Sequence, residues 1–141
     1  MTRDTTEDDR PDLAAMIVGL GRALIAVERP ILVAHAVSMW GYVVLTALRN
    51  EPMRTQAALA RAIGADKTRL IAVLDALQQR GLIEREPDPA DRRVHLLGLT
   101  DAGHRAHATI RAEIRAKEER LLERLSPADR EAFLRSLRAL G

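Results

Sequence analysis

Lys67, Thr68 and Arg69 follow one another directly after Asp66 in "GADKTRLIAVLDALQQRG". Long cationic and hydroxyl side chains grouped on the first turn of a helix suit the acceptor-rich edges of purines in the DNA major groove. The free backbone N–H groups of such a turn also attract phosphate. A second cluster, Asp91, Arg92 and Arg93, lies in "PDPADRR" between the apolar runs "GLIE" and "VHLLGLT". Pro87 and Pro89 forbid a helix there and stiffen a hairpin tip. Arginine on such a tip suits the minor groove, whose negative potential attracts it. Asp91 can hold an arginine rotamer through a charge-assisted bond. Taken alone, each cluster has an ordinary reading: a solvated first turn, and a charged loop that blocks edge-to-edge strand pairing.

Other candidate chemistry is sparse. His104 and His107 stand three apart and His35 lies far upstream. A helical pair at that spacing can share zinc, although four apart is commoner and no acidic ligand is fixed by the sequence. Surface or hydrogen-bonding histidines are the simpler reading, so no cofactor is expected. The absence of cysteine removes disulfides, thiolate metal sites, catalytic thiols and cysteine redox switching. There is no glycine-rich phosphate loop and no catalytically spaced carboxylate pair, so an enzyme is not expected.

The elements that must position these residues are written mostly in helix code. Leu13, Met16, Ile17, Leu20 and Leu24 recur at helical spacing after Pro11, which reads as a first-turn proline, and predict a helix to about Val27, with Pro30 as an interruption. Ser38 reads as the N-cap of "MWGYVVLTALRN", stopped by Asn50 and Pro52. Thr55 can cap a short helix burying Leu59 and Ile63. Gly64 permits a sharp turn, Asp66 caps a second helix over 66–80, and Gly81 closes it. On that second helix Leu70, Val73, Leu74 and Leu77 cluster on one side, while Thr68, Ala72, Asp75 and Gln79 point roughly opposite. "LIERE" and "RVHLLGL" read as strands flanking a wing at 87–93. Thr100 caps a long helix with Ala102, Ala106, Ile110 and Ile114 stepping by four, followed by Leu121 and Leu125. Ser126, Pro127 and Asp129 start a last helix whose apolar face is Phe133, Leu134, Leu137 and Leu140.

Two helices joined by a glycine turn and followed at once by a hairpin make a winged helix-turn-helix. The fold class is therefore mainly α with a small β-hairpin wing. Four segments are expected: an acidic disordered tail at 1–10, an N-terminal dimerisation helix at 11–34, a winged DNA-binding domain at 35–99, and C-terminal dimerisation helices at 100–141. Hydrophobic residues reach 47% of the 141 but aromatics only 2%, too few for a base-stacking single-strand platform. Residues 1–12 hold five acids against two arginines, so the remaining chain is more basic than its net +2. The N-terminus lacks a signal-peptide pattern and no apolar run reaches membrane-spanning length, so a cytoplasmic protein without a membrane partner is expected.

From the Ser38 helix to the last helix, the chain resembles the MarR family of bacterial winged-helix regulators. "LARAIGADKTRLIAVLDALQQRGLIERE" followed by "PDPADRRVHLLGLTDAG" carries the resemblance, with Gly81, Asp91, Arg92, Arg93, Leu99, Thr100 and Gly103 where the family pattern expects them. The resemblance implies a homodimer whose terminal helices interdigitate and whose two winged domains read half-sites about one helical turn apart. It also implies an effector pocket, often between the dimerisation helices and the DNA-binding lobe. The chain departs from the pattern in two places. Ile71 and Ala72 stand where a Thr-Arg pair is usual, and Ala58 replaces the acid that would complete a reciprocal cap with Thr55.

The expected function is a homodimeric transcriptional regulator, commonly a repressor relieved by a small-molecule effector, binding pseudo-palindromic double-stranded DNA. Lys67, Thr68 and Arg69 enter the major groove and Arg92 or Arg93 the minor groove, while Arg54, Thr55 and Gln56 touch phosphates. Leu13, Met16, Ile17, Leu20, Leu121, Leu125, Phe133 and Leu137 form the dimer interface, because these stripes are too apolar for a small monomer's surface. Trp40 and Tyr42 are candidates to line an effector pocket, with core packing an equal alternative. The competing class is a winged-helix protein-interaction module that does not read DNA. Ile71, Ala72 and the outward Asp75, which repels phosphate unless paired with an arginine, speak for it.

Overall fold

Local capping chemistry sets most of the boundaries in the structure, a computed structural model that describes residues 9–51 and 54–141. Helix α1 spans Leu13–Ala34, α2 Met39–Asn50, α3 Gln56–Ile63, α4 Lys67–Gln79, α5 Asp101–Leu122 and α6 Pro127–Leu140. Ser38, Thr55, Asp66, Thr100 and Ser126 each accept a backbone N–H three residues on, and so begin α2 to α6 as the side-chain chemistry requires. Gly64 and Gly81 take positive φ (68° and 69°) and end α3 and α4, a conformation that costs a residue with a Cβ.

Three details differ from the sequence reading. Pro30 lies inside α1 rather than interrupting it. A proline removes one helical hydrogen bond, but the next two residues, Ile31 and Leu32, are the helix's anchors in the core. Their burial offsets the loss and carries the helix one more turn. Pro11 precedes the helix, because Asp12 takes the N-cap position. Finally, the hairpin is part of a three-stranded antiparallel sheet. Strands β1 (Arg54–Thr55), β2 (Ile83–Pro87) and β3 (His95–Leu99) lie in the order β1-β3-β2, with Arg54 opposite Leu97 and Ile83 opposite Leu99. The expected stop at Pro52 and the greater part of the acidic tail, residues 1–8, fall outside the described residues.

The core belongs to the winged lobe. Val44, Leu45 and Leu48 of α2, Leu59 of α3, Leu70, Leu74 and Leu77 of α4, Ile83 and Leu97 of the sheet, and Ile110 and Ile114 of α5 form one buried cluster. Helix α6 buries no residue, and most of α1 is exposed. Among the described residues no single helix is long and apolar enough to cross a membrane.

The start of α5 is locked to the end of α4. Thr100 Oγ1 donates to the Gly81 carbonyl at 2.6 Å, and the Thr100 N–H donates to the Leu82 carbonyl at 3.2 Å. A Cβ at Gly103 would stand 2.0 Å from the Leu82 carbonyl oxygen, a backbone atom that cannot swing aside. The spacing Leu99-Thr100-x-x-Gly103 is therefore a packing motif: Leu99 is buried, Thr100 caps, and Gly103 admits the neighbouring backbone. Gly103→Ala is expected to cost roughly 2–3 kcal/mol by overpacking, measured as a lower midpoint in thermal unfolding. An unchanged midpoint would contradict this close approach.

Candidate nucleic-acid interface

Asp66 Oδ1 accepts the Arg69 N–H at 2.8 Å and so fixes the first turn of α4. Lys67, Thr68 and Arg69 are exposed on that turn, while Leu70, Leu74 and Leu77 fill the core behind it. The same face continues through Ile71, 46% exposed, and Ala72, also exposed. Apolar groups here can meet thymine methyls, where the departure from the family pattern leaves no polar reader.

Asp75 is exposed on α4, and its charge is met. Arg85 of β2 donates from Nη2 to Asp75 Oδ1 at 2.8 Å. Arg85 follows Ile83 on the inward face of β2, which lets a strand cation reach across to the helix. The pair neutralises the one carboxylate that would oppose a polyanion from this face of α4, and it ties the wing strand to the helix.

The loop between β2 and β3 is held by its own aspartates. Asp88 Oδ1 accepts from the Ala90 N–H at 2.9 Å, Asp91 Oδ1 accepts from the Arg93 N–H at 3.1 Å, and the Asp88 N–H donates to the Val94 carbonyl at 2.7 Å. Asp91 thus acts mainly on backbone. Its ion pair with Arg93 Nε is loose at 3.6 Å, and the Arg93 side chain is 94% exposed. Arg92 is exposed as well. Pro87 is not at the tip: it ends β2 opposite His95, leaving Pro89 as the proline of the loop. At the other edge, Thr55 uses its hydroxyl to cap α3, with Ala58 N–H at 3.2 Å, and Gln56 is half-buried in the first position of that helix. Arg54 pairs through its backbone with Leu97, and its side chain falls outside the described residues.

The two aromatics expected to share a pocket face different neighbours, as their separation of two residues on a helix requires. Trp40 carries the Arg69 guanidinium over its ring at 5.5 Å from the centroid. Tyr42 stacks on His107, with centroids 5.3 Å apart and planes 11° from parallel. Sequence reasoning missed the Trp40–Arg69 and Asp75–Arg85 partnerships because both join elements distant along the chain.

The histidines do not act as a set. His35 Nε2 lies 3.0 Å from Glu113 Oε1, His104 is exposed, and His107 is 1% exposed. Among the described residues no group of three potential ligands could hold a metal ion. Thr46 Oγ1 donates to the Tyr42 carbonyl at 2.9 Å, so it accepts from His107 Nε2 at 3.0 Å. Nδ1 is then an unpaired acceptor in the interior. Protonating it would place a second, unsatisfied donor there. Burial first, then Arg49, Arg111 and His104, hold the His107 pKa below its ordinary value near 6.5. Beside it, Arg49, His107, Ala108, Arg111, Ala112 and Arg115 line a hollow of about 350 Å³ between α2 and α5.

A terminal groove of about 280 Å³ lies between α1, α5 and α6, lined in part by Ile17, Leu20, Leu121, Phe133 and Leu137. Leu13, Met16 and Leu125 are exposed apolar side chains on the same helices and the turn after α5.

The MarR family model matches residues 37–95. The chain is 32% identical over 112 residues to a putative transcriptional regulatory protein for the hcr operon of Thauera aromatica, covering 79% of this chain and 68% of that protein. It is similar to the transcriptional repressor CouR bound to a 23-mer DNA duplex, with a TM-score of 0.81, 29% identity and 92% of each chain covered. It is also similar to the PcaV regulator of Streptomyces coelicolor in complex with its natural ligand, with a TM-score of 0.68, 28% identity, and 93% of this chain and 95% of that one covered.

A histidine whose pKa is lowered by folding adds stability above the unfolded value near 6.5, and that stability is lost as pH falls toward and through the folded value. The difference in thermal midpoint between the wild type and His107→Gln is therefore expected to shrink steadily below about pH 6.5. Parallel midpoint curves for the two proteins would refute the buried neutral imidazole.

Proposed function

The chain belongs to the MarR family of transcriptional regulators, and on that premise we propose that it is a homodimeric repressor reading pseudo-palindromic DNA, released by a small-molecule effector. The observation that carries the reading is the exposed, cation-rich first turn of α4, with Asp75 farther along that helix paired to Arg85. In this reading Lys67, Thr68 and Arg69 meet base edges, with Ile71 and Ala72 against thymine methyls. Arg92 or Arg93 enters the minor groove from a loop braced by Asp88 and Asp91, and Arg54, Thr55 and Gln56 lie along phosphates.

Dimerisation is supported by the unburied apolar faces of α1 and α6. A second copy laid across Leu13, Met16, Ile17, Leu20, Leu121, Leu125, Phe133 and Leu137 removes them from water. The segments 11–34 and 100–141 then serve assembly, and 35–99 serves reading. The hollow lined by Arg49, Arg111 and Arg115 supports an anionic effector, because three cations crowd there around a neutral histidine. Tyr42 reaches that region through its stack on His107, whereas Trp40 belongs to the DNA-facing side. The repressor named CouR, bound to duplex DNA, and PcaV, bound to its ligand, are relatives consistent with this division of labour.

A protein-interaction module would require the α4 face to be unsuited to phosphate. The Asp75–Arg85 pair removes the strongest ground for that.

The test is binding to duplexes selected by the protein from a random library, titrated with salt. The wild type should weaken steeply as salt rises. Arg92→Ala should bind roughly tenfold more weakly, with a salt slope shallower by about one and a reduced A·T preference beside the half-site. Arg69→Ala should relax base preference within the half-site at a cost of about 1–3 kcal/mol. Wild-type affinity and preference in both variants would sink this docking.

A further inference from the structure

We propose that Trp40 is a positioning residue for sequence readout: its indole face holds the Arg69 guanidinium and leaves its N–H donors free for the base pairs. The inference rests on the DNA-reading function proposed above. Arginine carries five donors in one plane, and a base or phosphate is recognised through the edge of that plane. A free surface arginine samples many rotamers, and ordering it opposes binding. A ring beneath the plane removes that freedom while occupying no donor, since cation–π attraction uses the face.

Trp40 meets the requirements of such a platform. It lies in the first turn of α2, where Ser38 Oγ accepts the Gly41 N–H at 2.9 Å. The adjoining Gly41 is packed against α4: a Cβ there would lie 3.2 Å from Val37 Cγ1 and 3.5 Å from Leu77 Cδ2. The platform and the helix that bears Arg69 are thus held as one piece. Trp40 is half-buried. Arg69 has no competing ion pair among the described residues; Asp66, the nearest acid in sequence, accepts its backbone N–H. The guanidinium carbon stands 5.5 Å from the ring centroid, inside the range of attraction.

The experiment is a double-mutant cycle of Trp40→Leu and Arg69→Ala on affinity for the duplex that the wild-type protein selects from a random library. Trp40→Leu should weaken binding roughly 3- to 30-fold, the span of a cation–π contact. It should also flatten base preference at the position that Arg69→Ala alters, and nowhere else. In the Arg69→Ala background Trp40→Leu should have little further effect, and Trp40→Phe, which keeps an aromatic face, should restore most of the affinity. Additive losses, or an unchanged preference at that position, would overturn the proposal. A second readout does not depend on the leucine variant folding. Trp40 is the only tryptophan in the chain, so removal of its cover in Arg69→Ala should increase acrylamide quenching of its emission. Equal quenching in wild type and Arg69→Ala would also overturn it. Should the wild type select no sequence at all, the DNA-reading function fails first, and the quenching comparison still decides whether Arg69 rests on Trp40.

Discussion

The contact on which the rest depends is the approach of Gly103 to the Leu82 carbonyl, closed by the Thr100 hydroxyl on the Gly81 carbonyl. It joins three things at one point: the end of α4, the first wing strand and the start of the long helix. Each bond alone contributes on the order of 1 kcal/mol. Their importance is geometric. Gly81 needs its positive φ to turn the chain, Leu82 must be buried, and Gly103 must lack a side chain. With those conditions met, α4 and α5 cannot be moved apart without breaking backbone packing.

Charge on the winged lobe is arranged by the same economy of partners. Asp75 and Arg85 cancel, Asp88 and Asp91 are engaged by backbone N–H groups, and Asp66 is engaged as a cap. These four aspartates are thus tied into the local structure, while Glu84 and Glu86 of β2 stand exposed. Lys67, Arg69, Arg92 and Arg93 are displayed to solvent on the α4 turn and the wing loop. This is why a net charge of only +2 is compatible with a polyanionic partner.

Legibility in the sequence followed the range of the interaction. The caps at Ser38, Thr55, Asp66, Thr100 and Ser126 were all readable, because a cap is decided within four residues. So were the glycine turns and the buried face of α4. Pro30 misled because a proline's local cost was weighed without Ile31 and Leu32, whose burial only the folded lobe supplies. The two-residue strand β1 carries no periodicity of its own and exists only by pairing with β3. The partners of Asp75, Arg69 and His107 were invisible for the same reason, since each lies on another element. Nearness in sequence makes Trp40 and Tyr42 joint candidates for a pocket, with core packing an equal alternative, although a two-residue step on a helix turns side chains by about 200°.

The placement of His107 gives the proposed effector response a physical form. Its imidazole lies on the first half of α5, stacked on Tyr42 of α2 and bonded to Thr46, one turn past Gly103. An anion drawn to Arg49, Arg111 and Arg115 would counter the field that now opposes a charged imidazole. A charged His107 needs a partner for Nδ1, which the present packing lacks. On the proposed function, an effector that supplied one would act between α2 and α5. Gly103 against Leu82 ties the start of α5 to the end of α4 and the start of the wing, so a displacement of α5 would reach both together. Half-site reading is sensitive to displacements of that kind, since both groove contacts must be made at one spacing.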